Sequence, residues 1–141
     1  MKAERSRLFR LQRLERVRAI AKQAAAAEAA QAESTLAQLE QLAERTRRLA
    51  ADYAARSQAT DGATLRQLDS FSGGLRGIAA SASSDAAKAR DVADGKLAAL
   101  NLAERRRAAV EDRAVKQAQD IAKRGKEAEL GSRRGFGTGL E

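Results

Sequence analysis

The sequence contains no cysteine, no histidine, no proline and no tryptophan, and aromatic residues make up only 3% of its 141 positions. Without cysteine and histidine, the chain can form no disulfide, has no thiol chemistry, and lacks the commonest general base and transition-metal ligand. With so few aromatic residues, little is available to fill a globular core. The absence of proline removes the strongest helix breaker, so long uninterrupted helices are possible.

Long apolar runs are absent as well. No apolar stretch approaches the ~18 residues of a membrane-spanning helix, and arginines interrupt the apolar residues of the N-terminus every two or three positions. We therefore expect neither a membrane span nor a secretory signal peptide, and we predict a cytoplasmic protein. Because nothing in the sequence fixes a pair of carboxylates in a dry pocket, we also predict a non-enzymatic protein without cofactor or metal.

Alanine is the most prominent residue that is present, at 34 positions, and charged residues make up 33% of the chain. From Arg5 to about Ser57, and again from Leu65 to Ala128, apolar residues recur in steps of three and four. This spacing predicts an all-α fold in which two long helices form an antiparallel coiled-coil hairpin. The predicted seam includes Leu8, Leu11, Leu14 and Val17 in the first helix and Leu68, Phe71, Leu75 and Ile78 in the second.

The break between the two apolar series lies at residues 58–63. Asp61-Gly62 is a turn signal, and Thr64 with Gln67 three residues later is typical of a capping box at a helix start. We therefore predict a coiled-coil hairpin over residues 1–130, with its turn near 58–63. Residues 131–141 include four glycines, which predicts a mobile, Gly/Arg-rich C-terminal tail.

Three glycines interrupt the second apolar series, at positions 73, 74 and 77. Each lowers helix stability by ~1 kcal/mol relative to alanine. They could bring the two backbones close together or make room for Leu49. Alternatively they could soften the helix so that its neighbouring apolar side chains face a partner, or Gly73-Gly74 could itself be the turn. The helix-start signal near Thr64 favours the turn at 58–63.

The formal net charge of +8 is concentrated near the two ends of the chain. Residues 1–22 hold eight basic and two acidic residues, residues 104–141 hold ten and seven, and residues 23–103 hold nine and ten. In an antiparallel hairpin the two ends of the chain lie together, so one end of the hairpin is strongly basic. Such an end is either a solvated face or a site for nucleic acid, an anionic membrane or an acidic protein cavity. With few aromatic residues for base stacking and no recognition motif, nucleic acid is not an expected partner.

A short, cysteine-free antiparallel hairpin with a basic open end resembles the FliJ family of flagellar type III export stalk proteins. The resemblance covers the whole chain in length and architecture. It is most specific just after the turn, where Phe71 and Leu75 correspond to a phenylalanine and a leucine of the family and are followed by Ile78 and Ala82. The basic run from Arg105 to Lys126 is similar to the family as well.

This resemblance implies a stalk that links a hexameric export ATPase to the membrane-embedded export gate, and that also handles export chaperones. It implies no enzymatic activity, no cofactor, and a location at the flagellar base, peripheral to the inner membrane. The residues expected to bind the ATPase are Arg7, Arg10, Arg13, Arg16, Arg105, Arg106, Arg107 and Arg113. The residues expected to bind the export gate are Phe71, Leu75, Ile78 and Ala82.

Three other functions are compatible with the same residues. The first is the equivalent stalk of a virulence-type III secretion system, which would differ in its partners alone. The second is a nucleic-acid-associated coiled coil, whose binding would weaken steeply between low and physiological salt. The third is a scaffolding or membrane-peripheral coiled coil.

Overall fold

A computed structural model of the chain describes residues 1–56 and 61–137, with the side chains described as far as residue 135. The chain forms two long α-helices, α1 at Lys2–Ala55 and α2 at Gly62–Gly137. They pack against each other as an antiparallel coiled-coil hairpin, and the described residues contain no β-strand. The predicted fold class is confirmed. Among these residues, no helix has an apolar stretch that could cross a membrane.

The chain divides into two compact units, each of which contains part of both helices. Unit 1 comprises Met1–Ala24 and the segment from Leu100 onward, and unit 2 comprises Ala25–Ala99. By formal charge, unit 1 holds 18 basic and nine acidic residues, whereas unit 2 holds nine and ten. The two ends of the chain therefore do share one body, and this body carries the excess positive charge.

The side chains with the least exposure follow a heptad pattern. Their steps of three and four run from Glu4 to Tyr53 in α1 and from Leu68 to Ile121 in α2, as in a coiled coil. In unit 2 the fully packed seam positions are small: Ala29, Thr46, Ala50, Ser72, Ala82, Ala86 and Ala93 are all buried. Small side chains at a helix contact permit a short distance between helix axes.

One hydrogen bond shows the register of the pairing in unit 2. The hydroxyl of Ser72, which is only 3% exposed, donates to the carbonyl oxygen of Ala50 across the seam at 3.3 Å. The two residues are 22 positions apart, so the hairpin reverses around Asp61. This confirms the predicted reversal and excludes Gly73-Gly74 as the turn, because α2 runs through both glycines.

The predicted seam was wrong by one residue in part of α2. Phe71 and Ile78 are 51% and 54% exposed, and the seam positions are taken by their smaller neighbours Ser72 and Ala79. The physical reason is that closely spaced helices have room for a hydroxyl or a methyl group between them. Large side chains at the preceding positions then lie beside the seam.

The start of α2 also differs from the prediction. The helix begins at Gly62, and Asp61 is its N-cap, since its Oδ1 accepts a hydrogen bond from the backbone N–H of Thr64 at 2.7 Å. The capping box assigned to Thr64 and Gln67 was therefore wrong: the helix starts two residues before Thr64, and the N-cap is Asp61, which accepts from the backbone N–H of Thr64. Of the predicted turn at 58–63, residues 58–60 lie outside the described residues.

The end of α2 lies further along the chain than predicted. The helix continues to Gly137, past the boundary that glycine content had placed at residue 130. A helical glycine costs ~1 kcal/mol relative to alanine and does not by itself end a helix. The boundary of the predicted tail was therefore wrong, and residues 138–141 lie outside the described part of the chain.

We expect Ser72→Leu to destabilise the hairpin by about 1–3 kcal/mol, because the close seam at this position cannot take a larger, branched side chain without displacing its neighbours. Circular dichroism should show a lower Tm than for the wild type. Ser70→Leu places the same side chain at an exposed position of α2 and should leave Tm nearly unchanged. Equal Tm values for the two variants would contradict the close packing.

The Asp61 cap predicts a specific dependence on pH. Hydrogen bonds from the side chain and the backbone N–H of Thr64 hold the pKa of Asp61 below its ordinary value. The cap therefore contributes fully above pH ~4, the unfolded pKa, and its contribution is lost as pH falls through the lower folded pKa. Asparagine caps a helix without titrating. We expect the Tm of the wild type to fall relative to that of Asp61→Asn as pH is lowered from about 4. A difference in Tm between the two proteins that stays constant with pH would contradict the assignment of Asp61 as the N-cap.

Candidate functional site

Unit 1 carries many exposed arginines, which lie on several sides of its two helices. Seven of the eight arginines expected to bind an ATPase are exposed there, and we call these seven the basic surface: Arg7, Arg10, Arg13, Arg16, Arg105, Arg106 and Arg113. Within the described residues none of the seven pairs with a carboxylate. These guanidinium groups are therefore available to an anionic partner outside the chain.

Arg107 differs from the other seven candidates. It is half-buried at a seam position, and its Nη2 lies 3.9 Å from Oε1 of Glu15 on α1. Its Nε is buried and has no hydrogen-bond partner in the structure. Arg107 therefore takes part in the pairing of the two helices and does not belong to the basic surface, which corrects its assignment as a binding residue.

Charged residues also occupy other seam positions of unit 1. Lys22 lies 3.9 Å from the carboxylate of Glu104, and Glu4 pairs with Arg124. Ion pairs at seam positions specify the register of a coiled coil, and they contribute less stability than apolar packing. Here they hold the two terminal segments of the chain together.

The apolar stripe predicted for this part of α1 was wrong at two positions. Leu14 and Val17 are 40% and 60% exposed, whereas the charged neighbours Glu15 and Arg18 lie at the half-buried seam positions. The offset is again one residue, as at Phe71 and Ser72 in unit 2. Sequence reasoning missed it because an apolar side chain is ordinarily preferred to a charged one at a seam.

Both units expose large apolar side chains, and those of unit 2 include two of the residues expected to bind an export gate. Leu42 and Leu49 of α1 are each 48% exposed, and Phe71 and Ile78 of α2 are 51% and 54% exposed. We call these four residues the apolar surface. Each comes directly before a small seam residue, namely Ala43, Ala50, Ser72 and Ala79.

Only two of the four residues expected to bind an export gate belong to this surface. Phe71 packs edge-on against Tyr53, with ring centroids 4.8 Å apart, and its remaining surface faces solvent, as does Ile78. Leu75 is half-buried in the seam, and Ala82 is only 4% exposed. Ala82 is therefore covered by the hairpin itself, which corrects its assignment as a contact residue.

The three glycines near Phe71 have no packing role. Apart from its chain neighbours and the backbone of its own helix, a Cβ atom at Gly73, Gly74 or Gly77 would meet no atom of the described residues within 4 Å, and Leu49 is exposed. The interpretation that they bring the backbones together or admit Leu49 was therefore wrong. The interpretation that they soften this part of α2 is consistent with the open space around them.

Sequence reasoning missed a groove between the two helices of unit 2. Its volume is about 970 Å³, and it is lined mostly by alanines, among them the seam residues Ala50 and Ala86 and the exposed Ala51, Ala54 and Ala80. At its rim, Glu44 accepts hydrogen bonds from Arg47 and Arg48, which lower the pKa of Glu44 to about 2. The repeated alanines beside the seam positions are the feature of the sequence that could have predicted this groove.

The described residues contain no group of three or more acidic side chains that could hold a metal ion. Comparisons with known proteins gave no relative: a scan of protein-family models, a search of curated proteins and a search of solved structures each found no match. The function has to be inferred from the surfaces of the chain itself.

We expect the double variant Gly73→Ala/Gly74→Ala to raise Tm, because alanine favours a helix by ~1 kcal/mol per residue over glycine and both new methyl groups enter open space. Scanning calorimetry would measure the change. Ala80→Gly, at an exposed position of the same helix, should lower Tm. A lower Tm for the double alanine variant would show that the glycines are required for packing after all.

Proposed function

We propose that the chain is a non-enzymatic stalk of the flagellar type III protein export apparatus, which couples a hexameric export ATPase to the membrane export gate and handles export chaperones. The observation that supports this most is the composition of unit 1. Both terminal segments of the chain meet there, with 18 basic against nine acidic residues, and seven exposed arginines have no carboxylate partner among the residues that the structure describes.

The basic surface is suited to a partner that presents carboxylates or carbonyl oxygens. An arginine offers five N–H donors in a planar group, and its hydrogen bonds to a carboxylate are about twice as strong as neutral ones. Several arginines on one body also accelerate the encounter with an acidic partner at low salt. A pore lined with acidic groups in an ATPase ring is such a partner, and nucleic acid is not expected.

The apolar surface supports a second contact of a different kind. Phe71 and Ile78 are half-exposed large side chains on a hairpin, and such residues are typical anchors of protein interfaces. We assign them to the export gate. A chain with a basic surface in one unit and an apolar surface in the other can bind two chemically different partners, as a coupling component must. The protein would then work in the cytoplasm, peripheral to the inner membrane at the flagellar base.

We expect Arg10→Glu/Arg13→Glu/Arg106→Glu to weaken binding to the cognate export ATPase by at least about 100-fold, because three attractive charges become repulsive. Stimulation of ATP hydrolysis should be lost with it, while helicity by circular dichroism should not change. Calorimetric titration and a hydrolysis assay at two salt concentrations would measure both effects.

The matched control reverses three exposed arginines of unit 2, Arg48→Glu/Arg66→Glu/Arg76→Glu, and should bind the ATPase normally. The proposal fails if the wild-type chain neither binds nor stimulates the enzyme. Binding to the ATPase of a virulence-type secretion system alone would assign the chain to that apparatus.

A further inference from the structure

The exposed charges of unit 1 are distributed unevenly around its two helices. A residue directly before a seam position and one directly after it lie on opposite sides of the seam. In an antiparallel pair, the residues directly before the seam positions of both helices share one side, which we call the leading side. Those directly after share the trailing side. Unit 2 shows this arrangement, because Glu40 pairs with Arg90 and each directly follows a seam residue.

The leading side of unit 1 carries most of the excess positive charge. From Glu4 to Lys22 in α1 and from Leu100 to Ile121 in α2, it exposes five basic residues and one acidic residue: Arg7, Arg10, Arg106, Arg113, Lys116 and Asp120. The trailing side of the same segments exposes two of each sign: Arg5, Arg16, Glu104 and Glu111. The leading side is therefore strongly basic, whereas the trailing side is formally neutral.

The charge of the leading side is not neutralised within the hairpin. Among the described residues, none of its five basic side chains forms an ion pair. Glu15 faces Arg107 across the seam, and the residues directly before these two, Leu14 and Arg106, therefore lie at one level. Arg7 and Arg113 lie one heptad closer to the ends of the chain. The cations of both helices thus form one group.

Large apolar side chains lie beside these cations. Leu14, Val17 and Leu102 of the leading side are 40%, 60% and 45% exposed. The trailing side also exposes Phe9 and Val115, so apolar area alone does not distinguish the two sides. The leading side is the one on which exposed apolar residues and a net positive charge occur together.

We propose that the leading side of unit 1 binds the surface of an anionic membrane. A planar surface contacts a hairpin on one side, which matches the one-sided charge. Arginine and lysine are attracted by the negative potential of anionic lipids. Leucine and valine side chains between them can enter the boundary between headgroups and acyl chains. Because lipids move laterally, their phosphates can meet the guanidinium groups without a pattern fixed in advance.

Other polyanions match this side less well. The phosphates of a nucleic acid would attract the same cations, but they would leave Leu14, Val17 and Leu102 without an apolar environment. An acidic protein would need carboxylates placed at the positions of the cations and apolar side chains between them. A membrane supplies both environments at every position, and the apolar residues therefore favour it.

Membrane binding goes beyond the proposed stalk function, because it needs no other protein. Four of the five basic residues of the leading side also belong to the basic surface, so lipid and an export ATPase would compete for them. Arg16 belongs to the basic surface but lies on the trailing side. Its reversal therefore separates the two kinds of binding.

Flotation of the full chain with lipid vesicles tests the proposal. At physiological salt we expect binding to vesicles of equal parts phosphatidylglycerol and phosphatidylcholine, and none to pure phosphatidylcholine. Arg7→Glu/Arg113→Glu should weaken binding at least about 100-fold, because each reversal replaces an attraction by a repulsion. Arg5→Glu/Arg16→Glu changes the net charge equally on the trailing side. It should weaken binding no more than about threefold, since salt screens charges that lie away from the membrane. Circular dichroism should show unchanged helicity in both variants.

A fluorescent side chain tests which side enters the lipid. The sequence contains no tryptophan, so a single introduced indole reports on its own surroundings. The emission of Val17→Trp should shift to shorter wavelength on anionic vesicles, because the indole leaves water. Phe9→Trp places the same probe on the trailing side and should show no shift.

Several results would overturn the proposal. These are a wild type that does not bind anionic vesicles, an equal loss of binding in the two charge variants, or an equal shift in the two tryptophan variants. Tighter binding of duplex DNA or polyglutamate than of vesicles, at the same concentration of anionic groups, would assign the leading side to that polyanion instead. The stalk function would survive each result, because ATPase binding is measured separately. Conversely, lipid binding by a chain that does not bind the ATPase would contradict the stalk function alone.

Discussion

The small size of the seam residues in unit 2 determines most of what this hairpin presents to its surroundings. The Ser72 hydroxyl reaches the Ala50 carbonyl oxygen at 3.3 Å, which requires the two helices to lie close together. At this level the seam is held by small side chains, and Leu49 and Phe71 lie beside it and remain half-exposed. Close pairing of the helices and an exposed apolar surface are therefore two results of one constraint.

In unit 1, charged side chains take part in the pairing of the same two helices. The pair Glu15–Arg107 lies in its seam, and the seam residue Lys22 pairs with the exposed Glu104, each at 3.9 Å. Partly exposed pairs of this kind contribute little stability, but they disfavour other registers, because a shifted register would leave charges unpaired. Their carboxylates pair with Arg107 and Lys22, so they do not neutralise the exposed arginines. The net positive charge of the basic surface therefore depends on which acidic side chains are already paired with seam residues.

The sequence was sufficient to predict the two helices, their antiparallel pairing and the reversal around Asp61, because helix propensity, heptad spacing and an Asp-Gly signal all agree. It was not sufficient to choose between neighbours such as Phe71 and Ser72. Both fit the heptad spacing, and hydrophobicity favours the larger one, while the distance between the helices favours the smaller one. That distance depends on all the seam residues together. The same limit explains Arg107, which is one of three consecutive arginines and differs from the others only in the side of the helix on which it lies.

The geometry of the hairpin indicates a role for the glycines at 73, 74 and 77. Since no neighbouring atom requires their small size, their effect is on the helix itself, which they weaken between Phe71 and Ile78. A segment of low local stability opens more readily than the rest of a helix, and its side chains can adjust to more than one partner. The partner proposed for Phe71 and Ile78 is an export gate. A stiff helix would present these side chains in one fixed arrangement, whereas a weakened one lets them adjust to the surface of that partner.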